Sequence, residues 1–382
     1  MSSAVTFPFW LDDVVFDILC SLSVKSLIRF RFVSKSWNSI ITNPIFIKTH
    51  FDRAKSLLSN NNSNKNHNSF LLYLDRSSCK ELCTAVWNSD PTLTEVSRFM
   101  IPFLTARIVE FSNGMFCFYN HQNHIIYLWN PRIRKFKMLA PTHLTHPFES
   151  ISTRPLTSVA VGFGFHSQNN DFKILRIVCY NKEVEAEVYT LSMDTWRRVV
   201  ISLESEPSIG SIDEIVASPR LFFNGALHSL AYSRNHKFIL SFDVNDEIFH
   251  AIELPQNLDG AGQPYERLIL FTGCLAFIVC NEDADADIWH IWGMIKYGAV
   301  KSWTKITELC VEGVMGERFF DCTNSGELLI EIFDGSLGSF DFENLNVKHL
   351  RIRSPPWLGY TTDLMESLVF LDQVKMSSKN ED

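Results

Sequence analysis

The chain has 382 residues, 46% hydrophobic and 13% aromatic with 31 Phe, which allows two or three domains with a large packed core and excludes general disorder. Its net charge of −8 is uneven: residues 1–51 carry Lys25, Arg29, Arg31, Lys35 and Lys48 against Asp12, Asp13 and Asp17, so the rest is strongly acidic, which argues against nucleic acid as the main ligand. The longest apolar stretch, Leu268 to Cys280, is broken by Thr272 and Gly273 and falls short of the ~20 residues a bilayer span needs; with no leader-like N-terminus, the expectation is a soluble protein of the cytoplasm or nucleus with no membrane partner.

From Asp12 the apolar residues Val14, Val15, Ile18, Leu19 and Leu22 form a helical stripe, with Asp12 and Asp13 suited to the positive end of the helix dipole. Ser23 is placed to cap a second helix in which Leu27 and Phe30 share a face. Ser34 is placed to cap a third, with Trp37, Ile40 and Ile41 pointing inward. Asn43-Pro44 reads as a cap and first-turn proline opening a short helix through Phe46, Ile47 and Phe51. A module this small cannot bury all of its large residues, so either the rest of the chain or another protein covers the remainder.

The run Leu11-Asp12-Asp13-Val14-Val15-Phe16-Asp17-Ile18-Leu19, followed by Val24 to Trp37 and by Ile40, Ile41, Pro44, Phe46 and Ile47, resembles the plant F-box pattern almost residue for residue. That resemblance implies a small all-α, three-helix module over residues 8–52 that docks on a Skp-type adaptor and through it on a cullin. Leu11, Val14, Ile18, Leu22, Leu27, Phe30, Val33 and Trp37 would build or present the adaptor surface. Two departures stand out: the family has Leu-Pro where this chain has Trp10-Leu11, and again where it has Leu22-Ser23. Proline pre-orders a chain entering a helix, so both changes imply attenuated docking, limited at the second by Ser23 as a cap.

Residues 53–69 read as a polar linker, dominated by the low-complexity stretch Ser59 to Ser69. Beyond it the pattern turns to short β segments over 70–372. Five hairpins align: Ile126–Asn130 with Phe136–Leu139, Glu187–Leu191 with Trp196–Val199, Ile239–Asp243 with Phe249–Ile252, Ile288–Trp292 with Ser302–Ile306, and Leu337–Asp341 with Val347–Leu350. A second, more apolar pair precedes each, often with a tight turn such as Asn113-Gly114, Asn224-Gly225 or Ser325-Gly326, where Gly accepts positive φ. The interval of about 50–60 residues, four strands per unit, predicts a large all-β domain of kelch-like β-propeller type, with an irregular β-sandwich as the alternative. Phe70–Leu74 and the C-terminal region could close the ring.

Leu128-Trp129-Asn130-Pro131, Val161-Gly162-Phe163-Gly164-Phe165, Asn170-Asp171-Phe172-Lys173, Asn224 to His228 and Ile288 to Lys305 resemble the plant F-box-associated domain, including its S-locus F-box branch. This implies a domain that captures an unknown target protein for ubiquitination; the S-locus branch would suggest secreted ribonucleases. Residues 373–382 read as a disordered tail.

Other motifs carry less. Gly162-x-Gly164 lacks the third glycine of a dinucleotide fingerprint. Asp283, Asp285 and Asp287 start like a calcium loop, but Ile288 and Met294 occupy its glycine and glutamate positions. Nine irregularly spaced cysteines read as buried thiols, and Cys79 and Cys83 have no second pair to complete a zinc set. No nucleophile elbow, P-loop or zincin spacing is present. The expectation is a non-catalytic receptor without a cofactor; an enzyme with an active site at the centre of the ring, and an F-box protein acting outside a ligase, are the rivals.

Overall fold

The computed structural model describes residues 9–61 and, between 69 and 369, all but 78–79, 88–92, 104, 140–143, 145–155, 181–182, 204–211, 217–220, 234–235, 256–265, 283–286, 311–313, 333, 362–363 and 365. The expected tail at 373–382 and most of the acidic 283–287 loop fall outside these. Four helices come first: α1 (Phe9–Cys20), α2 (Val24–Phe30), α3 (Lys35–Ile41) and α4 (Pro44–Asn61). The three predicted caps are in place. Ser23 Oγ accepts from Ser26 N at 3.4 Å, Ser34 Oγ from Trp37 N at 3.1 Å and Asn43 Oδ1 from Ile45 N at 2.8 Å, satisfying amides that a helix start leaves orphaned. Leu19, Val24, Leu27, Ile41, Phe46 and Ile47 form the core of this module, edged by Phe16 on Phe46 and by Phe30 on Trp37.

The helical module differs from expectation at its end. In place of three helices and a short fourth, α4 runs for 18 residues and reaches Asn61, well into the stretch read as linker. The sequence there is polar, and docking supplies what intrinsic propensity does not: Phe51 and Ala54 pack against the β domain.

The β domain is a six-bladed propeller, and the sandwich alternative is wrong. Blade 1 takes β1 (Ser69–Leu74), β2 (Glu81–Trp87) and β3 (Thr94–Met100); blade 2 takes β4 (Arg107–Ser112), β5 (Met115–Tyr119), β6 (Ile126–Asn130) and β7 (Lys135–Met138). Blade 3 is β8 (Leu156–His166), β9 (Asp171–Tyr180), β10 (Glu183–Thr190) and β11 (Thr195–Val199). Blade 4 has a split inner strand, β12 (Glu214–Ile215) and β13 (Leu221–Phe223), then β14 (Ala226–Ser233), β15 (His236–Asp243) and β16 (Phe249–Glu253). Blade 5 is β17 (Glu266–Phe271), β18 (Cys274–Glu282), β19 (Asp287–Met294) and β20 (Trp303–Cys310). Blade 6 is β21 (Val314–Cys322), β22 (Leu328–Ile332), β23 (Ser336–Asp341) and β24 (Asn346–Arg353).

Each blade is an antiparallel meander, and the five aligned hairpins are the outer strand pairs of blades 2 to 6. The last strand, β25 (Leu358–Thr361), pairs with β1 in the register Phe70↔Thr361 to Tyr73↔Leu358. The C-terminus thus supplies the innermost strand of the blade whose outer three strands come first in the chain. That closure leaves the ring no open seam.

Neighbouring blades are joined by apolar packing and by polar side chains that reach across. Ser158 Oγ donates to Ile215 O at 3.2 Å, Lys173 Nζ to Val244 O at 2.8 Å, and Trp303 Nε1 to Glu253 O at 2.9 Å. Arg267 on β17 donates to Phe319 O and, at 3.1 Å, to Phe320 O of the next inner strand, and Asp321 accepts from Tyr360 N of β25 at 2.9 Å. The inner edges would otherwise leave backbone groups without partners.

Candidate protein-binding surface on the helical module

The helices pack on one end of the ring, over blades 2 and 3. Phe51 of α4 meets Phe165 at a ring-centroid distance of 5.3 Å, and Lys55 lies over the same ring at 5.4 Å. Asn170, in the β8–β9 turn, donates to Asp52, and Ile133, in the β6–β7 turn, packs against the helical core. Both turns lie at the same end of their blades, because strands alternate in direction. The opposite end, with the β5–β6 and β9–β10 turns, points away from the helices.

The helices do not bury all of their apolar surface. Val14 and Ile18, one turn apart on α1, are 50% and 56% exposed. Phe32 and Val33, between α2 and α3, are 86% and 62% exposed, and Ile45 at the start of α4 is 71% exposed. Covering one such side chain stabilises a complex by up to about 3 kcal/mol for Phe32 and by less for the half-exposed Val14 and Ile18, so this set is where a protein partner would gain most. Lys25, Arg29 and Lys35 are exposed on the same α2–α3 stretch and give the surface a basic character.

Seven of the eight residues expected to make the adaptor surface are described, and they divide into three groups. Val14, Ile18 and Val33 are presented to solvent. Leu22, Phe30 and Trp37 are half-buried, with part of each side chain in the helical core. Leu27, at 0% exposure, lies in the helical core and so falls on the building side of that expectation and not on the presented surface. The Leu11 side chain lies outside the described residues. Phe32 was not among the eight. No local signal separated it from Phe30, because both are aromatic residues at or just beyond the end of α2 and packing alone decides which ring is covered.

In the propeller the repeated tryptophans do packing work. Trp129 is buried between blades, Trp196 stacks under Arg176 at 4.9 Å, and Trp303 bridges blades 5 and 4. Gly164 of the Val161–Phe165 motif is required by space, because a Cβ there would sit 2.8 Å from Val244 Cγ2 and 3.1 Å from the Phe222 ring. Cys20, Cys83, Cys117, Cys179 and Cys322 are buried free thiols, and burial raises the pKa of Cys20, Cys83 and Cys117 and pushes Cys322 up to about 12. Among the described residues no group of three or more His, Cys, Asp or Glu is arranged to hold a metal, and no helix is long and apolar enough to cross a membrane.

Comparison with known proteins agrees with this division of the chain. Residues 12–49 match the family described as F-box domain, and residues 56–334 match the family described as F-box associated beta propeller domain. Similar relatives include an F-box protein of Arabidopsis thaliana, 26% identical over 77% of this chain and 71% of its own length. An F-box/kelch-repeat protein from the same plant is 25% identical over 78% of both chains. The F-box protein CPR1, also from Arabidopsis thaliana, is 24% identical over 94% of this chain and 88% of its own length.

Proposed function

This chain belongs to the F-box proteins that carry an F-box associated β-propeller domain, and from that premise we propose that it is the substrate-recognition subunit of a Skp-cullin-F-box ubiquitin ligase. The observation that carries the adaptor half is the exposed apolar set Val14, Ile18, Phe32 and Val33 on helices that are otherwise well packed. A Skp-type adaptor covers that set, with Lys25, Arg29 and Lys35 meeting acidic residues of the partner, and the cullin is reached through the adaptor. The propeller holds the target protein at the end of the ring that faces away from the helices. Catalysis belongs to other subunits; this one acts by holding a target near the transferred ubiquitin, in the cytoplasm or nucleus.

The test is co-purification of the full chain with a Skp-type adaptor, beside a Val14→Glu, Ile18→Glu double variant. Both positions are exposed, so the variant should fold as the wild type does while losing adaptor affinity by at least about a hundredfold, two desolvated charges costing about 3 kcal/mol or more together. A wild-type chain that captures no adaptor at micromolar concentration overturns the proposal, as does a double variant that binds unchanged.

A further inference from the structure

Beyond the closing strand the chain returns to the helices. Leu368 lies in the F-box core beside Leu19, Val24, Leu27, Ile41, Phe46 and Ile47, and is 1% exposed. Its neighbours on the chain are fastened to blade 2. Asn130 Nδ2 donates to Ser367 O at 2.8 Å and to Val369 O at 3.1 Å, and Glu366 pairs with Arg132 at 3.2 Å. Val369 N donates to Ser367 Oγ at 3.1 Å, and the Val369 side chain packs against the apolar cluster that also holds Phe51.

Asn130 is 0% exposed and fully engaged. Its Oδ1 accepts from Arg132 N at 3.1 Å and Ile133 N at 3.4 Å, holding the β6–β7 turn, while its amide nitrogen serves the C-terminal segment. An aspartate could keep the turn but would set a carboxylate against two carbonyl oxygens. The Leu128–Pro131 motif therefore has a second task besides shaping a turn.

We infer that residues 366–369 are a structural part of the F-box: a strap from the far end of the chain, anchored on Asn130, completes the helical core and holds it on the ring. Some 300 residues separate Leu368 from the helices it packs with, so the adaptor-binding module reaches full order only in a chain complete through the strap. The strap leaves the ring directly after β25, so the strand that closes the propeller also delivers Leu368 to the F-box. The strap then holds the helices against blade 2, and the direction in which the propeller faces is fixed relative to the adaptor surface.

Amide hydrogen exchange on the full chain tests this without any adaptor present, so its outcome is independent of the ligase proposal. Asn130→Asp and Leu368→Ala should each speed exchange in α2, α3 and the first half of α4 by at least about tenfold, while β14, β15, β18 and β19 on blades 4 and 5 keep wild-type protection. Leu368→Met, which conserves volume, should stay near wild type. Leu350→Ala, in the core between blades 6 and 1, should loosen strands there and leave the helices protected. The inference is overturned if the helices keep wild-type protection in both Asn130→Asp and Leu368→Ala. Equal loss of protection across helices and distant strands in those variants overturns it as well, because Leu368 would then be a general core residue of the ring.

Discussion

Glu110, Arg267 and Asp321 come from the inner strands of three different blades, and their charges are set against one another. Burial pushes the Glu110 carboxyl up to about 8, aided by the negative charge of Asp321 and opposed by the Phe111 backbone amide and by Arg267. Burial likewise lifts Asp321 to about 6, against the amides of Tyr360 and Cys322 and the charge of Arg267. A carboxyl whose folded pKa is raised binds its proton more tightly in the native state. Its contribution to stability is present at low pH and is lost as pH rises through the folded value. The buried histidines act in the opposite sense. His228, held down to about 4 by burial, favours the folded state as pH rises from about 4 toward the usual histidine range. Above that range, and below about pH 8, where the buried thiols begin to lose stability in the same way, the carboxyl effect stands alone. The urea midpoint of the wild type should fall between about pH 6.5 and 7.5, and Glu110→Gln should flatten most of that slope; equal slopes in the two proteins would refute the assignment. Arg176 and Glu187 are a different case, directly opposed on β9 and β10, both 3% exposed, with Arg176 Nε donating to Glu187 Oε1 at 2.6 Å. Glu187→Ala should cost about 3–5 kcal/mol, because it strands a buried guanidinium, and a thermal melt would register it.

Single elements repeat their backbone solutions from blade to blade. The turn between the first two strands uses positive φ at two successive residues, Asn113-Gly114 in blade 2, Asn224-Gly225 in blade 4 and Thr272-Gly273 in blade 5. Two of these are legible as Asn-Gly. The third hides inside the longest apolar run of the chain, where Thr is an unusual left-handed residue. The turn between the last two strands places one residue in the left-handed region each time: Arg134, Asp194, Glu247 and Leu345. Asp194 is tied there by Tyr189 Oη at 2.6 Å, and Glu247 by Lys173 at 2.7 Å. Leu345 is 75% exposed at φ 50, so its side chain gains little from burial while its backbone is strained. Leu345→Asn should therefore stabilise the protein by about 1 kcal/mol, raising the melting temperature by a degree or two; a lowered melting temperature would refute the argument.

Closure decides the behaviour of the whole molecule. Leu71 on β1 is fully buried among Phe320, Leu329, Leu337, Leu350 and Leu358, so the first strand of the ring, the last strand and blade 6 share one core. Leu71→Ala should cost about 2–5 kcal/mol and lower the midpoint of a single cooperative transition. A second, independent transition for blade 1 would contradict a closed ring.

The two classes of structure, their order and the four-strand period were legible in the sequence, because they rest on local physics: helical stripes with capping residues, alternating strands, and turn residues that accept positive φ. Five of the six blades could be counted on that basis. Of the sixth, only Phe70–Leu74 and the C-terminal region could be named as what closes the ring, and not their pairing, since its strands come from opposite ends of the chain. The length of α4 was hidden for a related reason, because its polar second half is held by Phe51 and Ala54 against blade 3 and not by any pattern of its own. The same holds for the surface and the strap. Leu27 and Phe32 are both large apolar residues of one short segment, and only packing put the first in the core and the second in solvent. Leu368 became part of a helical core far from it in sequence. Local propensity is read from neighbours along the chain, while burial depends on neighbours in space, and these contacts exist only once the ring has closed.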